Sequence, residues 1–210
     1  IANFGQDGSF AGNITSQGAS DENGIGDFNY IENGFLALCT SNLPDPTIGP
    51  GQDDQAGDYF NTVLYTGTGS SQSITGVGFQ PDWVWIKGRS NSRRHMLFDS
   101  VRGVQKRLIS DDTNSELTMT DGLSSFDSDG FTEGGNLNTG NSGETFVAWS
   151  WKAGGTAVSN SEGSLTCNVS ANTEAGFSIV TWTANSDNGT LGHGLNSAPE
   201  LIIAKPLGSG

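Results

Sequence analysis

Along most of this chain apolar residues recur at every second position, in short runs separated by clusters of Gly, Asn, Asp and Ser. A period of two is the signature of half-buried strands, and the clusters are turn signals. Residues 60–66 alternate, 73–77 and 96–98 are shorter runs, and 126–131 (FDSDGF) reads as strand, turn, strand. Residues 82–87 (DWVWIK) and 145–152 (TFVAWSWK) are apolar on both faces, which predicts central strands covered on each side. Residues 164–169 and 177–183 add two more strands, and 35–38 (FLAL) reads as a buried one. Residues 158–162 read as a polar linker. Only 100–109 carries a helical spacing, at Val101, Val104 and Leu108, and Gly103 interrupts it.

Residues 41–58 hold Pro44, Pro46 and Pro50 among Gly and Asp, a composition that forbids both a helix and a central strand. This is the expected linker. An internal similarity follows it. Residues 60–87 (FNTVLYTGTGSSQSITGVGFQPDWVWIK) match 177–205 (FSIVTWTANSDNGTLGHGLNSAPELIIAK) in order at Phe60/Phe177, Val63/Val180, Tyr65/Trp182, Pro81/Pro199 and Lys87/Lys205. Shared Gly and Pro mean shared turns, and shared apolar positions mean a shared face. The organisation expected is the end of one domain over 1–40, a linker over 41–58 and a β-sandwich unit over 59–157. A linker and strand over 158–176 and the start of a second, truncated unit over 177–210 complete it. The chain opens on Ile1 and its second copy stops after the opening strands, so a piece of a longer repeat protein is expected.

Composition supports strands over helices. Hydrophobic residues make up 33% and charged residues 15%, with 31 Gly, so polarity comes from weak helix formers. Five Trp and eleven Phe require a packed core nonetheless. A net charge of −14 opposes nucleic acid and anionic membranes as general partners. No stretch approaches the length of a transmembrane helix, so membrane insertion is not expected. The two cysteines, Cys39 and Cys167, lie in apolar alternating stretches and read as buried thiols; whether they pair is open.

Several segments together point to a family. Asn3-Phe4-Gly5-Gln6 with Ser9-Phe10 resembles the closing strand of SPRY-type, concanavalin A-like jelly rolls. GVGFQPDWVWIKGRS (76–90), LFDSVRG (97–103), SFDSDGF (125–131) and TFVAWSWKAGG (145–155) are similar to repeat domains in tail-fibre and other virion proteins of marine bacteriophages. The resemblance implies virion structure with a role in host attachment, and it brings no catalytic residues with it.

Candidate chemistry is sparse. His95 and His193 lie in unrelated contexts, and no GxSxG, HExxH, P-loop or paired CxxC occurs. Asp127 and Asp129 could open a calcium loop, but Asp-Gly also favours a hairpin turn, and no EF-hand glutamate follows. Seven of the nine basic residues lie within 87–107: Lys87, Arg89, Arg93, Arg94, Arg102, Lys106 and Arg107. They suit an anionic partner such as an acidic surface glycan, or else internal pairing with Asp99, Asp111, Asp112 and Glu116. Trp83, Trp85, Trp149 and Trp151 could stack sugars, but their aliphatic neighbours argue for core packing.

The expected protein is therefore all-β, built of jelly-roll-like β-sandwich repeats with long turn-rich loops. It is expected to act without catalysis or cofactor, as a phage tail fibre or appendage on the virion surface. Its partners are then copies of itself, as a homotrimer, other virion proteins and a host surface glycan. A carbohydrate-binding adhesin and a glycan depolymerase are the alternatives.

Overall fold

The structure is a computed structural model and describes residues 12–15, 17–26, 55–185 and 188–208. The chain divides into two compact units, Ile1–Thr47 and Ile48–Gly210. In the first, Asp21 is buried in a tight turn, where Oδ1 accepts the N–H groups of Asn23 and Ile25. The strand expected over 35–38, the closing strand at the chain start, and Cys39 lie outside the described residues.

The second unit opens with a single 3₁₀ turn, Ala56–Asp58, at the end of the expected linker. Its strands are β1 (Phe60–Thr66), β2 (Gln72–Thr75), β3 (Trp83–Gly88), β4 (Met96–Asp99), β5 (Lys106–Ile109), β6 (Leu117–Thr118), β7 (Leu123–Asp127) and β8 (Gly130–Glu133). Then come β9 (Thr145–Trp151), β10 (Val158–Asn160), β11 (Cys167–Asn172) and β12 (Phe177–Trp182). The all-β class read from the sequence is the class observed. Among the described residues antiparallel pairing builds three sheets, ordered β1-β9-β3-β4-β5-β6, β2-β8-β7 and β10-β11-β12.

The first two sheets make the sandwich. Val84, Ile86, Met96, Phe98, Phe146 and Ala148 point inward from the six-stranded sheet and meet Ile74, Leu123 and Phe131 from the smaller one. β3 and β9 are central, and their inward residues are fully enclosed because the opposing sheet closes over them. A Ser128-Asp129 turn joins β7 to β8. At Gly130 φ is +148°, and a Cβ there would lie 2.0 Å from the Ile74 carbonyl oxygen, so the β2–β8 pairing requires glycine.

Three segments differ from expectation. Residues 100–109 form no helix: a turn closed by Gly103 N–H on the Asp99 carbonyl leads into β5, where pairing with β4 outweighs the weak helical spacing. The expected polar linker at 158–162 contributes β10, paired with β11. The two halves of the internal similarity occupy different surroundings. β1 pairs with β9, whereas β12 pairs with β11. Residues 201–205, which match β3 in sequence, form no strand, and Leu201, Ile202 and Ile203 are 78%, 75% and 52% exposed.

Candidate functional site

Alternation along β3 and β9 sends their side chains to two faces. Val84, Ile86, Phe146 and Ala148 turn into the sandwich, and all four tryptophans turn outward. Register then aligns them across the sheet. Phe60, Trp151 and Trp83 form one row, and Thr62, Trp149 and Trp85 form the next. Directly opposed side chains on one face of an antiparallel pair lie close enough to touch. Trp83 and Trp151 have ring centroids 4.4 Å apart, Phe60 and Trp151 4.8 Å, Trp83 and Trp85 5.9 Å, and Trp85 and Trp149 5.8 Å. Phe177 of β12 stacks on Trp83 and Trp151 and covers that end of the face. Phe60 and Leu64 at the β1 edge are exposed. The four tryptophans are mostly buried, as expected, but they pack on one another and on Phe177 outside the sandwich, whose interior positions on the same strands go to Val84, Ile86, Phe146 and Ala148. An outward face of linked rings can pack against apolar C–H surfaces such as those of sugar rings.

At one side of this face Trp85 donates its indole N–H to His95 Nδ1 at 2.9 Å. Burial, with help from the Lys87 charge and against the pull of Asp111, holds the His95 pKa below its ordinary value. The neutral ring keeps the lone pair that Trp85 requires.

The basic segment is mostly neutralised within the fold. Arg93 clasps Glu144 through two hydrogen bonds, one of them Nε to Oε2 at 2.7 Å. That guanidinium holds the Glu144 carboxyl at a pKa of about 2. Arg94 pairs with Asp112 at 2.7 Å, Arg102 with Asp99 and Glu116, and Lys106 with Glu116 at 3.9 Å. Lys87 donates to the Arg93 carbonyl, and Arg89 is exposed. Arg107 differs from all of these. It makes no ion pair with a described residue, and its enclosed Nη1 has no hydrogen-bond partner among them. Sequence reasoning grouped Arg107 with its neighbours; strand parity, which turns alternate residues of β5 to opposite faces, is the signal that separates it.

Asp127 and Asp129 do not converge. Asp127 accepts the hydroxyls of Ser125 and Thr132, both at 2.8 Å. Asp129 accepts the N–H groups of Gly78 at 2.6 Å and Gly76 at 3.1 Å, which lower its pKa and fasten β2's exit to the hairpin. Among the described residues no group of three His, Cys, Asp or Glu is placed to hold a metal ion. Cys167 is a buried free thiol, 3.3 Å from the Gly192 carbonyl, and His193 Nδ1 accepts the Leu195 N–H.

Sequence reading passed over Glu133. This carboxyl is fully buried, accepts Gly135 N–H at 2.7 Å, and leaves Oε1 without a partner among the described residues. Burial raises its pKa. A Cβ at Gly140 would fall 2.0 Å from its Oε2, so glycine is what admits it.

Residues 55–209 match a domain family of unknown function, DUF7483, and the chain belongs to that family. No curated protein and no solved structure matches the chain.

Proposed function

We propose that this chain is a non-catalytic structural and attachment module of a bacteriophage virion, part of a tail fibre or similar appendage. The observation that carries the reading is the outward aromatic face of β9 and β3, linked ring to ring and bordered by exposed Phe60 and Leu64. Tryptophans placed outside a sandwich already filled by its own interior residues are not needed for its core, which suits a contact surface. The segments that resemble phage repeat domains also form the framework of this sheet, since 76–90 contains β3 and 145–155 contains β9. A homotrimer fits the exposed β1 edge and the exposed Leu201, Ile202 and Ile203, because symmetric copies cover such surfaces. A carbohydrate-binding adhesin is the second reading, favoured by the same aromatic face.

Light scattering on the purified chain tests the assembly. A mass three times 21.9 kDa is expected, and a monomer at all concentrations refutes the trimer. Immunogold labelling of phage particles tests the location. Label on tail appendages is expected, and intact particles without label refute the virion reading.

A further inference from the structure

An open cavity of about 500 Å³ lies beside β5 and β6, away from the tryptophan rows. It falls within the range of small-ligand clefts. Arg107 of β5 and Arg94 stand in its wall, with Met96, Ile109, Leu117 and Met119 as apolar surface. Asn114, Asn136, Asn138, Thr118 and Thr120 supply neutral polar groups, and Asp121 supplies the one carboxylate.

The charges in this wall are unequal. Arg94 is already neutralised by Asp112 and Asp111. Asp121 accepts the Asn136 side-chain amide at 2.9 Å, and Asn136 in turn accepts the Asn138 N–H at 2.9 Å. Asn138 accepts the Arg94 N–H at 3.2 Å, so the amides are tied into one relay that fixes their orientation. Arg107 alone is left with an enclosed guanidinium nitrogen and no acceptor among the described residues. A buried ionic donor without an acceptor is unfavourable unless a ligand supplies one.

We propose that this cavity binds a single carboxylated sugar residue, with the carboxylate on Arg107. One unneutralised guanidinium matches one monoanionic carboxylate in a forked pair. Neutral amides and hydroxyls match sugar hydroxyls, and the methionine, isoleucine and leucine side chains match the C–H face of the ring. The net charge of −14 repels long polyanions, so the ligand is a terminal or isolated uronic acid. This deepens the attachment reading by naming a ligand class, yet the cavity stands without the virion assignment, and its test does not depend on assembly or location.

Titration calorimetry on the full chain tests it, with galacturonate and glucuronate as probes and glucose and inorganic phosphate as controls. Saturable uronate binding is expected, at least tenfold tighter than glucose or phosphate, with Arg107→Gln losing at least tenfold. Leu117→Trp, at an exposed rim position, is expected to lose binding with unchanged thermal unfolding, which covers the case in which Arg107→Gln fails to fold. Absence of saturable uronate binding overturns the proposal. So does uronate binding that survives Leu117→Trp, or that survives in a folded Arg107→Gln. Phosphate binding as tight as uronate binding overturns the saccharide assignment.

Discussion

Trp85 and His95 are joined by a 2.9 Å hydrogen bond in which the indole donates and the imidazole must stay neutral to accept. The His95 pKa lies below its ordinary value of 6.5, chiefly through burial. As pH falls below 6.5 the unfolded chain takes up the proton first, so folding stability declines until the pH passes the lowered folded value. Trp85 fluorescence in a chain lacking the other tryptophans is expected to titrate below pH 6.5, and the change is expected to vanish in His95→Phe. An unchanged titration in His95→Phe would contradict this account.

The two faces of β3 and β9 are expected to respond differently to truncation. Phe146→Ala removes a fully buried ring and should destabilise by about 3–5 kcal/mol. Trp149→Ala removes a half-buried ring and should destabilise by about 1–2 kcal/mol, while weakening any contact made by the outer face. Urea unfolding of the two variants compares them. Equal losses would place both rings in one core.

Two buried-side carboxyls give opposite pH dependences. Glu144, held at about 2 by Arg93, contributes stability that is present above the ordinary carboxylate value of 4.5 and is lost as pH falls through about 2. Glu133 has a raised pKa, so its contribution is present below 4.5 and is lost as pH rises through the raised value. Glu144→Gln should flatten the acid limb of a stability profile, and Glu133→Gln should flatten the limb above pH 4.5. Chemical denaturation from pH 2 to pH 8 separates them, and exchanged effects would refute the assignment.

Gly140→Ala should destabilise strongly, by about 3 kcal/mol or more, because the new methyl group collides with a carboxylate that the surrounding core holds in place. The pair Gly140→Ala with Glu133→Ala should recover part of that loss. A double variant no more stable than Gly140→Ala would mean that backbone, rather than Glu133, sets the requirement for glycine.

Alternation revealed the strands because each samples two distinct environments; β1 runs over the residues read as alternating, and β9 covers all but the last position of its expected run. Period two puts Trp83 and Trp85 on one face of their strand and Trp149 and Trp151 on one face of theirs, and the β3–β9 register joins the two pairs. Period two did not say which face would be enclosed, since that depends on β2, β7 and β8 folding over one side. Charge clustering in 87–107 was visible, and so were Asp99, Asp111, Asp112 and Glu116 as acids near enough in sequence to neutralise it; Glu144 was not, because Arg93 meets it across 51 positions, whereas Arg102 meets Asp99 at a separation of three. Strand parity separates Arg107 from Lys106, and the partners of the other basic residues show that it alone is left with an enclosed, unpaired nitrogen among the described residues. Glu133 sits in a Gly-rich stretch beyond the strand-turn-strand read over 126–131, and its enclosure depends on Gly140 having no Cβ.

Four of the five tryptophans belong to one outward network, and the fifth, Trp182, is 40% exposed. The ultraviolet emission of this protein is therefore a surface signal. Excitation absorbed by one indole of the network passes among neighbours about 4–6 Å away, so the group emits as a collective reporter on the outside of the sheet. Anything that settles on that face will change the colour and polarisation of the light, while a loosening confined to the Phe98–Phe131–Phe146 interior will be nearly dark.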